Sequence, residues 1–156
     1  MEPFKIHILG CGSALPTLRH NPSAQVVEIR EKQFLVDCGE GTQLQMRRSK
    51  IGFNRLCAVF ISHIHGDHCF GLIGMLSSFG LLGRTMPLAI YAPKELKPVL
   101  DMLLETFCND FDYEIQFHAV DTKKRAVIYE DRSLTVESIP LKPVSSTPLR
   151  AHETPE

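Results

Sequence analysis

Three histidines and an aspartate crowd into six residues directly behind a continuous apolar run. The run covers residues 56–62, and the pattern H-x-H-x-D-H follows it at residues 63–68. A continuous apolar run is typical of a strand that is covered on both faces. Imidazole and carboxylate groups are standard ligands of Zn²⁺. The chain is therefore expected to form a sheet in which the end of one strand presents a metal site.

The candidate metal ligands in this pattern are His63, His65, Asp67 and His68. Alternate positions of an extended segment point the same way, so His63 and His65 can chelate one ion. Where the chain bends into a helix, Asp67 and His68 can face a second ion, because Gly66 between the pairs allows a tight turn. The competing interpretation, polar residues that merely end a strand, is typical of a lone histidine.

The rest of the chain predicts a mixed sheet with helices packed on it. In chain order the elements are βββαβαβαβββ, with strands that include residues 24–29 and 126–130. We expect Leu44 and Met46 to face the core from a helix over residues 42–50, and Pro93 to open a helix over the following residues. The predicted fold class is therefore α/β (α+β).

The composition fits a globular domain that has no membrane segment. The net charge of −1, from 17 basic and 18 acidic residues, gives no overall positive field of the kind that indicates a nucleic-acid binder. The five cysteines are scattered without a C-x-x-C pair, as expected of free thiols in a reducing compartment. The apolar stretch at residues 70–82 is too short to span a bilayer, and the amino terminus lacks a signal-peptide pattern. A cytoplasmic location is predicted.

Three segments carry a resemblance to a known family. Residues 63–68 resemble the signature motif of the metallo-β-lactamase superfamily. Residues 37–43, D-C-G-E-G-T-Q, and residues 10–16, G-C-G-S-A-L-P, are similar to segments of ribonuclease Z, the endonuclease that trims the 3′ trailer from precursor tRNA. The resemblance covers about residues 4–142, and it implies the amino-terminal half of a metallo-β-lactamase αββα sandwich.

This resemblance implies two-metal hydrolysis of RNA, with precursor tRNA as the substrate and a homodimer as the assembly. By resemblance, His63 and His65 hold one Zn²⁺. Asp67 and His68 hold the other, and Asp67 is also the implied proton acceptor for the attacking water. Asp37 is implied to orient a ligand histidine through its ring N–H. Without the resemblance, Asp37 is equally compatible with a residue that caps a turn at a strand end.

The chain departs from the family pattern near its carboxyl terminus. The predicted domain comprises residues 1–142, and residues 143–156 are expected to form an irregular tail. Pro143 stands where the family has a further metal-binding histidine, and the family's remaining ligands and tRNA-gripping arm have no counterpart. Two alternatives therefore stay open. One is another hydrolase of the same fold, such as a phosphodiesterase, arylsulfatase or thioesterase, and the other is a truncated half-domain without activity.

Overall fold

A computed structural model describes residues 4–108 and 111–141 of the chain. Their strands, β1 to β8, are Lys5–Gly10, Ala24–Ile29, Lys32–Val36, Leu56–Phe60, Leu88–Pro93, Ile115–Val120, Ala126–Glu130 and Thr135–Ser138. Their helices, α1 to α4, are Thr42–Arg48, Gly66–Cys69, Leu72–Leu81 and Leu96–Phe107, and a 3-10 turn lies at Phe53–Arg55. None of the described helices is long and apolar enough to cross a membrane. The predicted tail, with Pro143, and the predicted boundary at residue 142 lie outside the described residues.

Six of the strands form one mixed sheet in the order β1-β2-β3-β4-β5-β6. The first three strands pair antiparallel, and β3 to β6 pair parallel. The strands β7 and β8 form a separate antiparallel hairpin. Because Val36 at the end of β3 pairs with Phe60 at the end of β4, the segments that follow these strands leave the sheet side by side.

Both faces of the main sheet are covered, each by a different layer. On one face, residues such as Leu35 and Val59 join apolar side chains of α1, α3 and α4 in one buried cluster. On the other face, Phe34 and Phe60 pack against the β7–β8 hairpin, and the ring of Tyr129 meets Phe34 edge-on at 5.3 Å. The prediction that β4 is covered on both faces is confirmed, as is the α/β class.

Two local predictions are wrong. Leu44 is 56% exposed, whereas Met46, which was also predicted to face the core, is buried together with Thr42. Residues four apart share a helix face, so a residue midway between Thr42 and Met46 lies on the opposite, solvent side. Pro93 does not open a helix but is the last residue of β5, and α4 begins at Leu96. The end of a strand tolerates the missing N–H of proline better than its interior does.

Candidate metal centre

The candidate ligands lie where the chain leaves β4, beside the end of its parallel neighbour β3. The segment after β4 carries His63 and His65, and α2 carries the remaining pair. They gather beside Asp37, which follows β3 and extends the ladder by donating its N–H to the carbonyl of Phe60 at 2.8 Å. The carboxyl ends of parallel strands are the usual place for ligand sites in open α/β sheets.

The structure brings three of the four candidate ligands together. Donor atoms of His63, Asp67 and His68 all lie within 4.8 Å of one another. We call these residues the metal trio. His65 lies outside the trio, but its Nδ1 is 3.1 Å from Nε2 of His63. The trio joins one member of the first predicted pair to both members of the second, so the division into two pairs stays a prediction.

Asp37 is the buried anchor of the site, with only 4% of its surface exposed. Its Oδ2 lies 2.6 Å from Nδ1 of His68, and its Oδ1 accepts the backbone N–H of Ser62 at 2.9 Å. The hydroxyls of Ser23 and Ser62 also donate to Oδ2, at 3.0 and 3.1 Å. A carboxylate at this position favours the tautomer with the proton on Nδ1, which leaves Nε2 of His68 as a lone-pair donor for a metal ion.

The protonation states of two trio members favour metal binding. Burial lowers the pKa of His63, and the neighbouring rings of His68 and His65 lower it further. Metal binding requires a neutral imidazole and an ionised carboxylate. The backbone N–H of Ala14 donates to Oδ2 of Asp67 at 2.9 Å and lowers the pKa of that carboxyl. Near neutral pH, His63 is therefore neutral and Asp67 is charged.

The two cysteines that directly follow Asp37 and His68 in the sequence are poor candidates for additional ligands. Burial raises the pKa of Cys69, whose Sγ donates to the carbonyl of His65 at 3.3 Å. Burial also raises the pKa of Cys38 to about 12. Because the thiolate is the form that binds metals, both residues are better explained as packed thiols.

Close packing of two chain segments, residues 37–39 and 68–71, makes the centre compact. A Cβ at Gly71 would overlap the carbonyl oxygen of Gly39. The N–H of Cys38 donates to the carbonyl of His68 at 2.8 Å, and the carbonyl of Cys38 accepts the N–H of Gly71 at 2.9 Å. The D-C-G segment is thus joined directly to α2, which places Asp37 beside the trio.

Three residues that contact the centre went unpredicted from the sequence. The hydroxyl of Ser62 lies 3.3 Å from Nδ1 of both His63 and His68, and its place next to the H-x-H pattern is a signal that suggests such a role. Ser23 is 14 residues from Asp37, and Ala14 is 53 residues from Asp67. No spacing rule connects residues so far apart.

Comparisons with known proteins identify the family of the chain. A family model described as anti-Pycsar protein Apyc1 matches residues 4–147. The chain belongs to that family. Ribonuclease Z of Bacteroides fragilis is 56% identical over 142 residues, which are 91% of this chain and 47% of that protein. The chain thus spans about half the length of the curated relatives it matches, and the resemblance to the amino-terminal half of ribonuclease Z is confirmed.

Solved structures agree on the fold. Human tRNase Z, short form, superposes with a TM-score of 0.75 at 27% identity, covering 88% of this chain and 59% of that one. The metallo-β-lactamase fold protein YhfI from Bacillus subtilis superposes with a TM-score of 0.58 at 23% identity, covering 81% of this chain and 49% of that one. The second likeness bears on the fold alone. The predicted metallo-β-lactamase fold is confirmed.

Proposed function

We propose that this chain is the metal-binding amino-terminal half of a zinc-dependent endoribonuclease that removes the 3′ trailer from precursor tRNA. The observation that carries the proposal is the trio of His63, Asp67 and His68 at the carboxyl edge of the parallel strands. The substrate class is taken from relatives named ribonuclease Z, at 56% identity, and from the likeness to tRNase Z.

The donor set of the centre suits zinc. Imidazole nitrogens with a carboxylate are ligands that Zn²⁺ takes, whereas Mg²⁺ and Ca²⁺ favour oxygen ligands alone. The Asp37–His68 contact is the arrangement by which a carboxylate orients a zinc-binding imidazole. We propose that two Zn²⁺ ions are held by the four residues His63, His65, Asp67 and His68.

The chain's own residues would then divide the work of hydrolysis. Bound zinc supplies Lewis-acid chemistry, which activates a water and neutralises charge on the phosphodiester. Asp67 is the proposed proton acceptor by family resemblance; its lowered pKa keeps it ionised, and its Oδ2 is held by the N–H of Ala14. Asp37 and Ser62 hold the ring of His68 in place.

Zinc stoichiometry, measured beside cleavage of precursor tRNA, tests this function. We expect zinc-dependent cleavage by the wild-type chain, and loss of both zinc and cleavage in His68→Ala. His118→Ala is the matched control, because His118 stacks on Tyr91 in the sheet, with ring centroids 4.6 Å apart. This variant should retain both zinc binding and cleavage. Absence of cleavage at full zinc occupancy would overturn the nuclease function and favour the inactive half-domain, while the metal site itself would stand.

A second candidate, a different phosphodiesterase of the same fold, stays open because the description of the family model does not name a ribonuclease. That description names an anti-Pycsar protein rather than a ribonuclease. Cleavage of precursor tRNA should be compared with hydrolysis of bis-p-nitrophenyl phosphate at equal zinc occupancy. A specific cut in precursor tRNA supports the first candidate, and turnover of the small diester alone supports the second.

We also propose a cytoplasmic location and a homodimeric assembly. All five cysteines lie within the described residues and are free, which fits a reducing compartment. The homodimer rests on the family resemblance, and sedimentation equilibrium of the purified chain tests it. A monomer at all concentrations would contradict the proposed assembly.

A further inference from the structure

An uncommon backbone conformation lies beside the metal centre. Ala14 has a φ of 63°, in the left-handed region that residues other than glycine and asparagine seldom adopt. Leu15 donates its N–H to the carbonyl of Ser13 at 2.9 Å, so Ala14 is the central residue of a three-residue turn. With a positive φ, such a turn is the rare and strained form. Strain of this kind persists only where the surrounding structure over-determines it.

The loop that contains this turn is fixed on both sides. Before the turn, Gly12 donates its N–H to the carbonyl of Asn21 at 2.9 Å and forms an isolated bridge with Pro22. After the turn, Thr17 and His20 are joined by a backbone hydrogen bond of 2.9 Å, and Oγ1 of Thr17 accepts the N–H of His20, also at 2.9 Å. The position of the turn is therefore set by its own loop.

The turn directs one backbone donor at the metal trio. The N–H of Ala14 reaches Oδ2 of Asp67 at 2.9 Å across 53 residues of sequence. The same oxygen lies 3.5 Å from Nε2 of His68. The N–H of Ala14 therefore binds the oxygen of Asp67 that lies next to another member of the metal trio. The methyl group of Ala14 contributes little to this contact, because the residue is exposed.

We propose that Ala14 is a positioning residue of the metal centre: its strained turn holds the backbone N–H that orients the Asp67 carboxylate for metal binding. Carboxylates that bind metals are themselves commonly held by hydrogen bonds from outside the ligand set. The inference rests on the proposed metal site, but it does not depend on RNA as the substrate. It also gives a reason for the positive φ at an exposed alanine, since any other turn would move the donor.

Backbone chemistry provides the direct test. An ester in place of the amide at Ala14 deletes the N–H and keeps the methyl group. It also weakens the Ser13 carbonyl as the acceptor of the Leu15 N–H, an effect that does not depend on Asp67. We expect zinc affinity to fall by about 10- to 100-fold, the range for groups that hold metal ligands, as measured by competition with a chromophoric chelator. The matched control is an ester in place of the amide at Leu18, a fully exposed residue of the same loop that makes no described contact with the metal centre. This variant should bind zinc as the wild type does.

A double-mutant cycle separates positioning from a general structural role. In an Asp67→Ala background the ester should cost no further zinc affinity, because the carboxylate that it orients is gone. An equal loss in both backgrounds would overturn the inference. If the ester protein does not fold, NMR of the all-amide protein provides a second test of the Ala14–Asp67 hydrogen bond. Asp67→Ala should move the resonance of the Ala14 amide proton upfield, and an unmoved resonance would overturn the inference.

Failure of this inference is distinguishable from failure of the metal site. A wild-type chain that binds zinc no more tightly than the ester protein does would overturn the role of Ala14 alone. A wild-type chain that binds no zinc would overturn the proposed metal site and the inference together.

Discussion

Oδ2 of Asp37 lies 2.6 Å from Nδ1 of His68, so a buried carboxylate after one strand fixes an imidazole that follows the neighbouring strand. Replacement of this carboxylate by an amide changes the hydrogen-bonding choices of the ring. An amide NH₂ facing Nδ1 favours the proton on Nε2, which removes the lone pair that would bind metal. We expect Asp37→Asn to weaken zinc binding by about 10- to 100-fold, as measured by chelator competition.

The matched control for this variant is Asp101→Asn. Asp101 is an exposed residue of α4 that pairs with Lys97 at 2.7 Å, outside the metal centre. The Asp101→Asn variant should bind zinc with wild-type affinity. Equal zinc affinities for Asp37→Asn and Asp101→Asn would contradict the orienting role of Asp37.

Gly71 sets the distance between the helices and the D-C-G segment. Its φ of −75° and ψ of −14° suit alanine, so a substitution tests packing without backbone strain. Because a Cβ there would overlap the carbonyl of Gly39, Gly71→Ala should lower the free energy of unfolding by about 1–3 kcal/mol, the usual cost of overpacking. Urea denaturation measures this change.

Gly52 offers the corresponding control. Its φ of −78° and ψ of 133° are also ordinary for alanine, and no atom lies within 4 Å of a Cβ built there. Gly52→Ala should change the free energy of unfolding by less than about 0.5 kcal/mol. If both glycine substitutions destabilise the protein equally, the contact with Gly39 is not the cause.

Local patterns sufficed to predict much of the sheet. Strands β2 and β7 have the predicted bounds, 24–29 and 126–130, because each is a short, β-rich segment. The apolar run at residues 56–62 predicted a strand covered on both faces, since neither face can carry polar residues. The candidate ligands were also local, as they fall within one six-residue pattern.

What the sequence could not predict depends on short helices and long-range contacts. Helix α1 has only seven residues, so its periodicity predicted both Leu44 and Met46 as core residues, and only Met46 is buried. The donor from Ala14 is a backbone N–H, which every residue except proline has, so its identity leaves no signal. Only the folded loop reveals that this donor meets Asp67.

Arg84 is a buried cation, 4% exposed, that links the starts of two strands through backbone carbonyls. Its guanidinium donates at 2.7–2.9 Å to the carbonyl oxygens of Met86, Phe53, Leu56 and Pro87. Each buried acceptor left without a donor costs about 1–3 kcal/mol. Arg84→Met should therefore lower the free energy of unfolding by more than about 3 kcal/mol, as measured by urea denaturation.

Two further variants serve as comparisons for Arg84→Met. Arg84→Lys should recover only part of the lost stability, because a compact ammonium cannot span carbonyls that a planar fork reaches. Arg48→Met, at an exposed position of α1, should change the free energy of unfolding by less than about 0.5 kcal/mol. A full recovery in Arg84→Lys would indicate that charge alone, rather than the fork geometry, stabilises this region.

Asp131 joins the β7–β8 hairpin to the main sheet. Its Oδ2 lies 2.6 Å from Nζ of Lys32 and accepts the hydroxyl of Tyr129 at 2.8 Å. Its Oδ1 accepts the backbone N–H of Ser133 at 2.6 Å. Burial raises the pKa of Asp131, but the hydrogen bonds, that of Lys32 foremost, outweigh burial and hold the pKa well below its usual value.

This lowered pKa predicts the pH dependence of hairpin docking. A carboxyl whose pKa is lower in the folded state stabilises the fold above its unfolded pKa of about 3.9, and this contribution fades as the pH falls towards the folded pKa. Asp131→Asn cannot ionise, so it should be less stable than the wild type at pH 7, and the difference should shrink below about pH 4. Urea denaturation at pH 7, 4 and 3 measures it, with Asp101→Asn as the exposed control. A difference in unfolding free energy that stays constant across these pH values would show that Asp131 does not act through its charge.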